Sequence, residues 1–187
     1  MSSTAPAGQI IFLHGASSSG KSTLARAFQA QVDLPFWHVS FDHLRDSGTL
    51  PMARFSSGDF RWRDVRENVF GGFHRSLATY ASAGNNLIVE HIIDTEGWLA
   101  QLLEILAPID VFFVAVHCPL ETLIAREIAR GDRQAGSAAQ DFAMIHRGLI
   151  YDLELDGTAS VSANVATVLH AWRNRPPPSA FETMRKS

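Results

Sequence analysis

The segment Gly15-Ala16-Ser17-Ser18-Ser19-Gly20-Lys21-Ser22 spells G-x-x-x-x-G-K-S, with Thr23 behind it. The run Ile10-Ile11-Phe12-Leu13 precedes it, short and β-branched enough for a buried strand. Thr23-Leu24-Ala25-Arg26-Ala27-Phe28 follows, with apolar residues at helical spacing. Strand, glycine loop and helix form the context in which this pattern cradles phosphate. Glycines at 15 and 20 let the backbone turn tightly and aim its N–H groups at one centre. Those amides and the positive end of the helix dipole make an anion site suited to a polyphosphate. Lys21 can reach β- and γ-phosphates, and the Ser22 hydroxyl can ligate Mg²⁺. The chain is therefore expected to bind a nucleoside triphosphate through Gly15, Ala16, Ser17, Ser18, Ser19, Gly20, Lys21, Ser22 and Thr23.

The rest of the chain alternates strand and helix patterns. A first helix is expected over 21–31 and a second strand over 36–41, ending at Asp42. Residues 45–60, with Gly48, Pro51 and Gly58, read as an irregular loop or short lid. A helix is expected over 60–83 from the spacing of Val65, Val69, Phe73, Leu77 and Tyr80, although Gly71-Gly72 weakens it. Further strands are expected at 86–93, 110–117 and 152–156, with helices at 96–106, 119–129, 141–149 and 160–173. This alternation predicts an α/β fold: a parallel five-stranded sheet with helices on both faces. Ligands in such sheets bind at the carboxyl ends of the strands, which selects Asp42, Glu90, His91, Asp94 and His117 for attention.

With 187 residues the chain suits a single domain, with 1–8 as a flexible leader. Pro176-Pro177-Pro178 is expected to end the ordered part, leaving 176–187 as a flexible tail. The net charge of −3 gives no global electrostatic case for nucleic acid or an anionic membrane. The lone Cys118 excludes an internal disulfide and reads as a buried structural thiol. Met1 to Ala7 lack the basic and apolar regions of a signal peptide, and no apolar run reaches transmembrane length. The expectation is a cytoplasmic protein. The eight histidines are scattered, without an H-x₃-H or Cys/His cluster, which disfavours a structural transition-metal site.

Asp42 at a strand exit can take a proton from a substrate hydroxyl; it can equally cap a helix or join a loop salt bridge. Glu90 ends an apolar strand and is the first candidate for the Mg²⁺-side carboxylate, with His91 and Asp94 left open. Arg126 and Arg130 are four apart and share a helix face, and Gly131 allows a bend that aims Arg133 at the same place. Three guanidiniums beside a phosphate loop would neutralise charge on a transferring phosphoryl group. A solvated helix face balanced by Glu127 and Asp132 is the plainer reading of the same residues.

Together these pieces resemble the chloramphenicol phosphotransferase family of P-loop kinases. The likeness is carried by His14 to Thr23, by Phe41-Asp42-x-Leu44 and by Ala129-Arg130-Gly131-Asp132-Arg133-x-Ala135-Gly136. His146-x-Gly148 and Tyr151-Asp152-x-Glu154-x-Asp156 extend it. The resemblance implies a three-layer P-loop kinase fold with an arginine-bearing lid. It implies transfer of the ATP γ-phosphoryl group to a hydroxyl of a small molecule, with ATP and Mg²⁺ as cofactors, and a link to antibiotic resistance. It maps the base to Asp42, phosphate contacts to Lys21 and Ser22, and lid arginines to Arg130 and Arg133, with Arg126 added. It places the loop Asp156-Gly157-Thr158 near the adenine. The family pattern has paired aspartates where this chain has Glu90-His91. Segment 45–62, which should line the acceptor pocket, shows little likeness. A kinase of a metabolite, such as a sugar acid, nucleoside or nucleotide sugar, is the alternative, as is a non-catalytic ATP-binding regulator.

Overall fold

The computed structural model describes residues 6–130 and 136–186. Among them, five strands form one parallel sheet in the order β2-β3-β1-β4-β5. These are β1 (Gln9–His14), β2 (Phe36–Ser40), β3 (Asn86–Glu90), β4 (Asp110–His117) and β5 (Leu153–Asp156). The period of two along each strand sorts the side chains onto two covered faces. Ile10, Phe12, Leu87, Val89, Val111 and Phe113 face one side, where α4 (Trp62–Ser82), α5 (Trp98–Ile105) and α9 (Ala180–Arg185) pack. Ile11, Leu13, Ile88, Phe112, Val114 and Val116 face the other, under α1 (Lys21–Gln29) and α8 (Val161–Asn174). Leu13 pairs with both Glu90 and Val114. The chain after β1 therefore leaves the sheet where its order switches direction, and a crevice opens there.

Three local readings change. Segment 45–60 is not irregular throughout: α2 (Phe41–Asp46) and α3 (Met52–Ser56) lie there. Ser40 caps α2 by accepting from the Asp42 amide at 3.1 Å, so β2 ends before Asp42 and that carboxylate sits in the first turn of a helix. Helix α4 runs unbroken through Gly71-Gly72, because Phe70, Phe73, Leu77 and Ala81 bury one face against the sheet. The spacing placed Tyr80 on that face, but Tyr80 is exposed.

The tail is the clearest correction. Residues 176–187, expected to be flexible, carry α9. Ser179 and Glu182 form a reciprocal capping box at its start, and Ala180 and Phe181 are buried. The Phe181 ring meets Phe113 and Phe12 at centroid distances of 5.1 and 5.9 Å. Cys118 is buried and free, as its reading required. No helix among the described residues is long and apolar enough to cross a membrane.

Candidate active site

The loop from Gly15 to Gly20 turns at the carboxyl end of β1 into α1. Gly20 precedes the helix with φ at +104°, a conformation that other residues adopt at a cost. Lys21 is buried and donates from Nζ to the carbonyls of Gly15 and Ala16 at 2.7 and 2.8 Å. The loop thus holds its own lysine at the mouth of the amide cradle. A cleft of about 780 Å³ opens over it and includes Ser17 to Leu24 in its lining. At one end the cleft meets Arg126, Gly157 and Asn164. At the other it meets Phe41, Asp42, Phe70, His91, Asp94 and Trp98. One cleft thus runs past the phosphate loop, with Arg126 and Asn164 toward β4 and β5 and the aromatic rings toward β2 and β3.

Ser22 and Glu90, the two residues expected on the metal side, are in contact. Ser22 Oγ donates to Glu90 Oε2 at 2.6 Å, and His38 Nε2 lies 3.0 Å from Glu90 Oε1. Burial by itself would raise the pKa of Glu90. Hydrogen bonds from His38 and Ser22, with the charges of His38 and Lys21, more than reverse this and hold it at about 2. Glu90 is therefore an anion with both oxygens oriented. His91, though adjacent in sequence, faces the opposite side of the sheet. It is stacked on Trp98 and bonded to His74 at 3.0 Å, and burial drives its pKa well down. Asp94 pairs with Arg66 at 3.1 Å at the rim of the cleft. Of the three candidates, Glu90 alone bonds the P-loop serine.

Asp42 lies in the cleft but is not idle: Arg45, one turn on, approaches its Oδ1 at 3.0 Å. The local ion pair that the sequence offered for Asp42 is present, and the carboxylate also lines the cleft. Arg126 donates to the carbonyls of Ser18 and Gly157 at 3.3 and 3.0 Å, clamping the phosphate loop to the turn after β5. Arg130 ends α6 (Leu120–Arg130), and Arg133 lies outside the described residues. Glu127 does not lie on a solvated face. It is buried and accepts from the Gly136 amide at 2.9 Å, holding the start of α7 (Ser137–Met144) to α6. From α7, Asp141 Oδ2 accepts from the Ser17 amide at 2.8 Å, so this helix rests on the phosphate loop.

With this geometry, the comparisons decide the family. Residues 8–173 match the model of the chloramphenicol phosphotransferase-like proteins. The chain belongs to that family, and with it is a small-molecule kinase. A protein of Mycobacterium tuberculosis (strain H37Rv) named "Putative O-phosphotransferase Rv2636" is 31% identical, over 97% of this chain and 89% of that protein. Among solved structures, the APS kinase CysC of Mycobacterium tuberculosis, in complex with AMPPNP and APS, superposes with a TM-score of 0.64. It is 19% identical and covers 90% of this chain and 99% of its own. Shikimate kinase from Aquifex aeolicus reaches 0.60 at 14% identity, over 88% and 96% of the two chains. These likenesses establish the P-loop kinase fold for the family member described here.

Several residues of the site gave no signal in the sequence. His38 is one, because a histidine inside a strand pattern reads as packing. Tyr151 is visible as part of the family likeness but its contacts are not: its hydroxyl lies 3.0 Å from His14 Nδ1 and 2.7 Å from His146 Nδ1. Burial keeps these histidines neutral, pushing His14 well below its usual pKa and His146 to about 4. Asp141 is another without a signal, because its partner, the Ser17 amide, is 124 residues away in the chain.

Proposed function

We propose that the protein moves the γ-phosphoryl group of ATP to a hydroxyl of a small molecule, in the manner its family name describes. The observation that carries the reading is the contact between Ser22 and Glu90. It joins the phosphate loop to an anionic carboxylate inside one cleft that also holds Lys21 and Asp42. Hard oxygen donors of this kind fit Mg²⁺, with Ser22 and Glu90 as the residues that would hold it, directly or through water. Mg²⁺ bound there would neutralise charge on the β- and γ-phosphates.

In this reading the loop amides and Lys21 bind the triphosphate, and Arg126 frames the nucleotide end. Arg130 and Arg133 close over the transferring group. The acceptor oxygen attacks the γ-phosphorus in line as the bond to the β,γ-bridging oxygen breaks. Asp42 orients the acceptor hydroxyl and takes its proton late, since a loose transition state asks little of the base. The pocket beside Asp42, with Phe41, Phe70 and Trp98, would receive the acceptor, and chloramphenicol is the first compound to try. A metabolite with a hydroxyl is the alternative acceptor.

The test is transfer of labelled γ-phosphate from ATP to a panel of hydroxylated compounds that includes chloramphenicol, sugar acids and nucleosides. A labelled product that Lys21→Ala and Asp42→Asn both abolish supports the reading. Asp42→Asn should leave ATP affinity nearly intact, whereas Lys21→Ala should weaken binding and transfer together. ATP binding without a labelled product from any acceptor would favour the regulator instead.

A further inference from the structure

His38, His43 and Glu90 come from three different elements: the middle of β2, the first turn of α2 and the end of β3. Ser40 pairs with Glu90 in the sheet, so His38, two residues earlier, shares the side on which the Glu90 carboxylate emerges. The chain turns from strand to helix at Ser40, which folds His43 back over His38. Their rings meet edge-on with centroids 4.5 Å apart. One ligand atom from each residue falls within 4.8 Å of the others, and no other such group of His, Cys, Asp or Glu occurs among the described residues.

We infer that His38, His43 and Glu90 Oε1 form a binding site for a borderline first-row divalent cation, with Zn²⁺ as the representative metal. Two imidazoles and one carboxylate are a donor set for such ions rather than for Mg²⁺ or Ca²⁺. His38 Nε2 and Glu90 Oε1, 3.0 Å apart, already stand close to the separation of two ligands on one ion. Bonds of about 2.0–2.2 Å in tetrahedral array place ligand atoms about 3.3–3.6 Å apart. His43 closes the third corner, and its exposure leaves that side chain free to rotate and leaves a fourth position for water. The Ser22 hydroxyl fixes the carboxylate through its other oxygen, as partners of metal ligands commonly do. Uptake of the ion moves the proton of His38 Nε2 to Nδ1 or to solvent. The histidine spacing in the sequence disfavoured a transition-metal site; the fold supplies what the spacing lacked. The inference rests on the placement of three donors and does not depend on the kinase reading.

The experiment is a titration of Zn²⁺ alone into the metal-stripped full-length protein, in competition with a chromophoric chelator. One tight equivalent is expected. His43→Ala, at an exposed position that leaves the fold untouched, should weaken it by about tenfold or more, and His38→Ala should remove it. Co²⁺ in place of Zn²⁺ should give visible absorption bands of a low-coordinate nitrogen and oxygen site, lost in His43→Ala. No tight equivalent in the native protein would overturn the inference. So would a tight equivalent that His43→Ala leaves unchanged, which would place the ion on other histidines. Loss of phosphoryl transfer has no bearing on either outcome.

Discussion

Ser22 Oγ and Glu90 Oε2 are 2.6 Å apart, a contact between the first turn of α1 and the last residue of β3. The pairing of Leu13 with Glu90 in the sheet puts the carboxylate two residues short of Gly15, where the phosphate loop begins. Replacing Glu90 with Gln keeps the shape and removes the charge. The Mg²⁺ concentration for half-maximal transfer should rise by roughly tenfold or more, with metal-free nucleotide affinity little changed. Initial rates over a Mg²⁺ series give the answer. An unchanged requirement would transfer the metal's carboxylate to Asp42 or Asp94.

The same carboxylate makes the protein acid-sensitive. Its folded pKa of about 2 lies below the ordinary 4.5, so in acid the unfolded chain binds the proton first. Its contribution to stability is complete above about pH 4.5 and is lost as pH falls toward about 2. Urea unfolding of the native protein should therefore weaken more steeply across that window than unfolding of Glu90→Gln. Parallel slopes would mean that Glu90 is not held as an anion.

What the sequence reveals divides along a physical line. Apolar runs such as Ile10–Leu13 and Asp110–His117 are local signals of buried parallel strands, although β5, Leu153-Glu154-Leu155-Asp156, is not such a run. The phosphate loop is legible because its glycines, lysine and serine act within eight residues. His38 and His43 are not, because their meeting with Glu90 depends on strand pairing and on the turn at Ser40. Asp141 is likewise hidden, 124 residues from the amide it caps. Helix α9 did leave a trace, since Ser179 and Glu182 are three apart around the apolar pair Ala180-Phe181, but the preceding prolines masked it.

Gly157 and Gly72 should respond to alanine with opposite sign. A Cβ on Gly157 would lie 2.6 Å from the Ser19 carbonyl and 2.8 Å from that of His117, both backbone atoms. The turn after β5 can accept it only by moving the phosphate loop. Gly157→Ala should cost about 1–3 kcal/mol and weaken ATP binding. Gly72 lies mid-helix in α4, and beyond its chain neighbours and the helix's own backbone no atom lies within 4 Å of such a Cβ. Gly72→Ala should stabilise by about 0.4–1 kcal/mol and leave ATP binding alone. Thermal unfolding with nucleotide titration separates the two, and a harmless Gly157→Ala would show that the turn and loop are not in close register.

The tail should prove part of the core. Phe181 packs against Phe12 and Phe113 on the central strands, and Asp152 anchors the helix by accepting from the Ala180 amide at 2.8 Å. The other oxygen of Asp152 accepts from the Phe113 amide at 2.7 Å, so one carboxylate fastens α9 to β4. Arg185 adds a bond to the Ala107 carbonyl at 3.0 Å. Removing a buried phenyl ring forfeits its transfer energy and leaves a cavity between two strands. Phe181→Ala should therefore cost about 3–5 kcal/mol. Deletion from Pro176 onward should cost at least as much, by exposing Phe12 and Phe113. Lys186→Ala, on the exposed end of the same helix, is the control and should change stability by less than about 0.5 kcal/mol. Urea unfolding of the three variants decides the point. A Phe181→Ala protein as stable as the control would mean that α9 does not dock, and that the prolines do end the ordered chain.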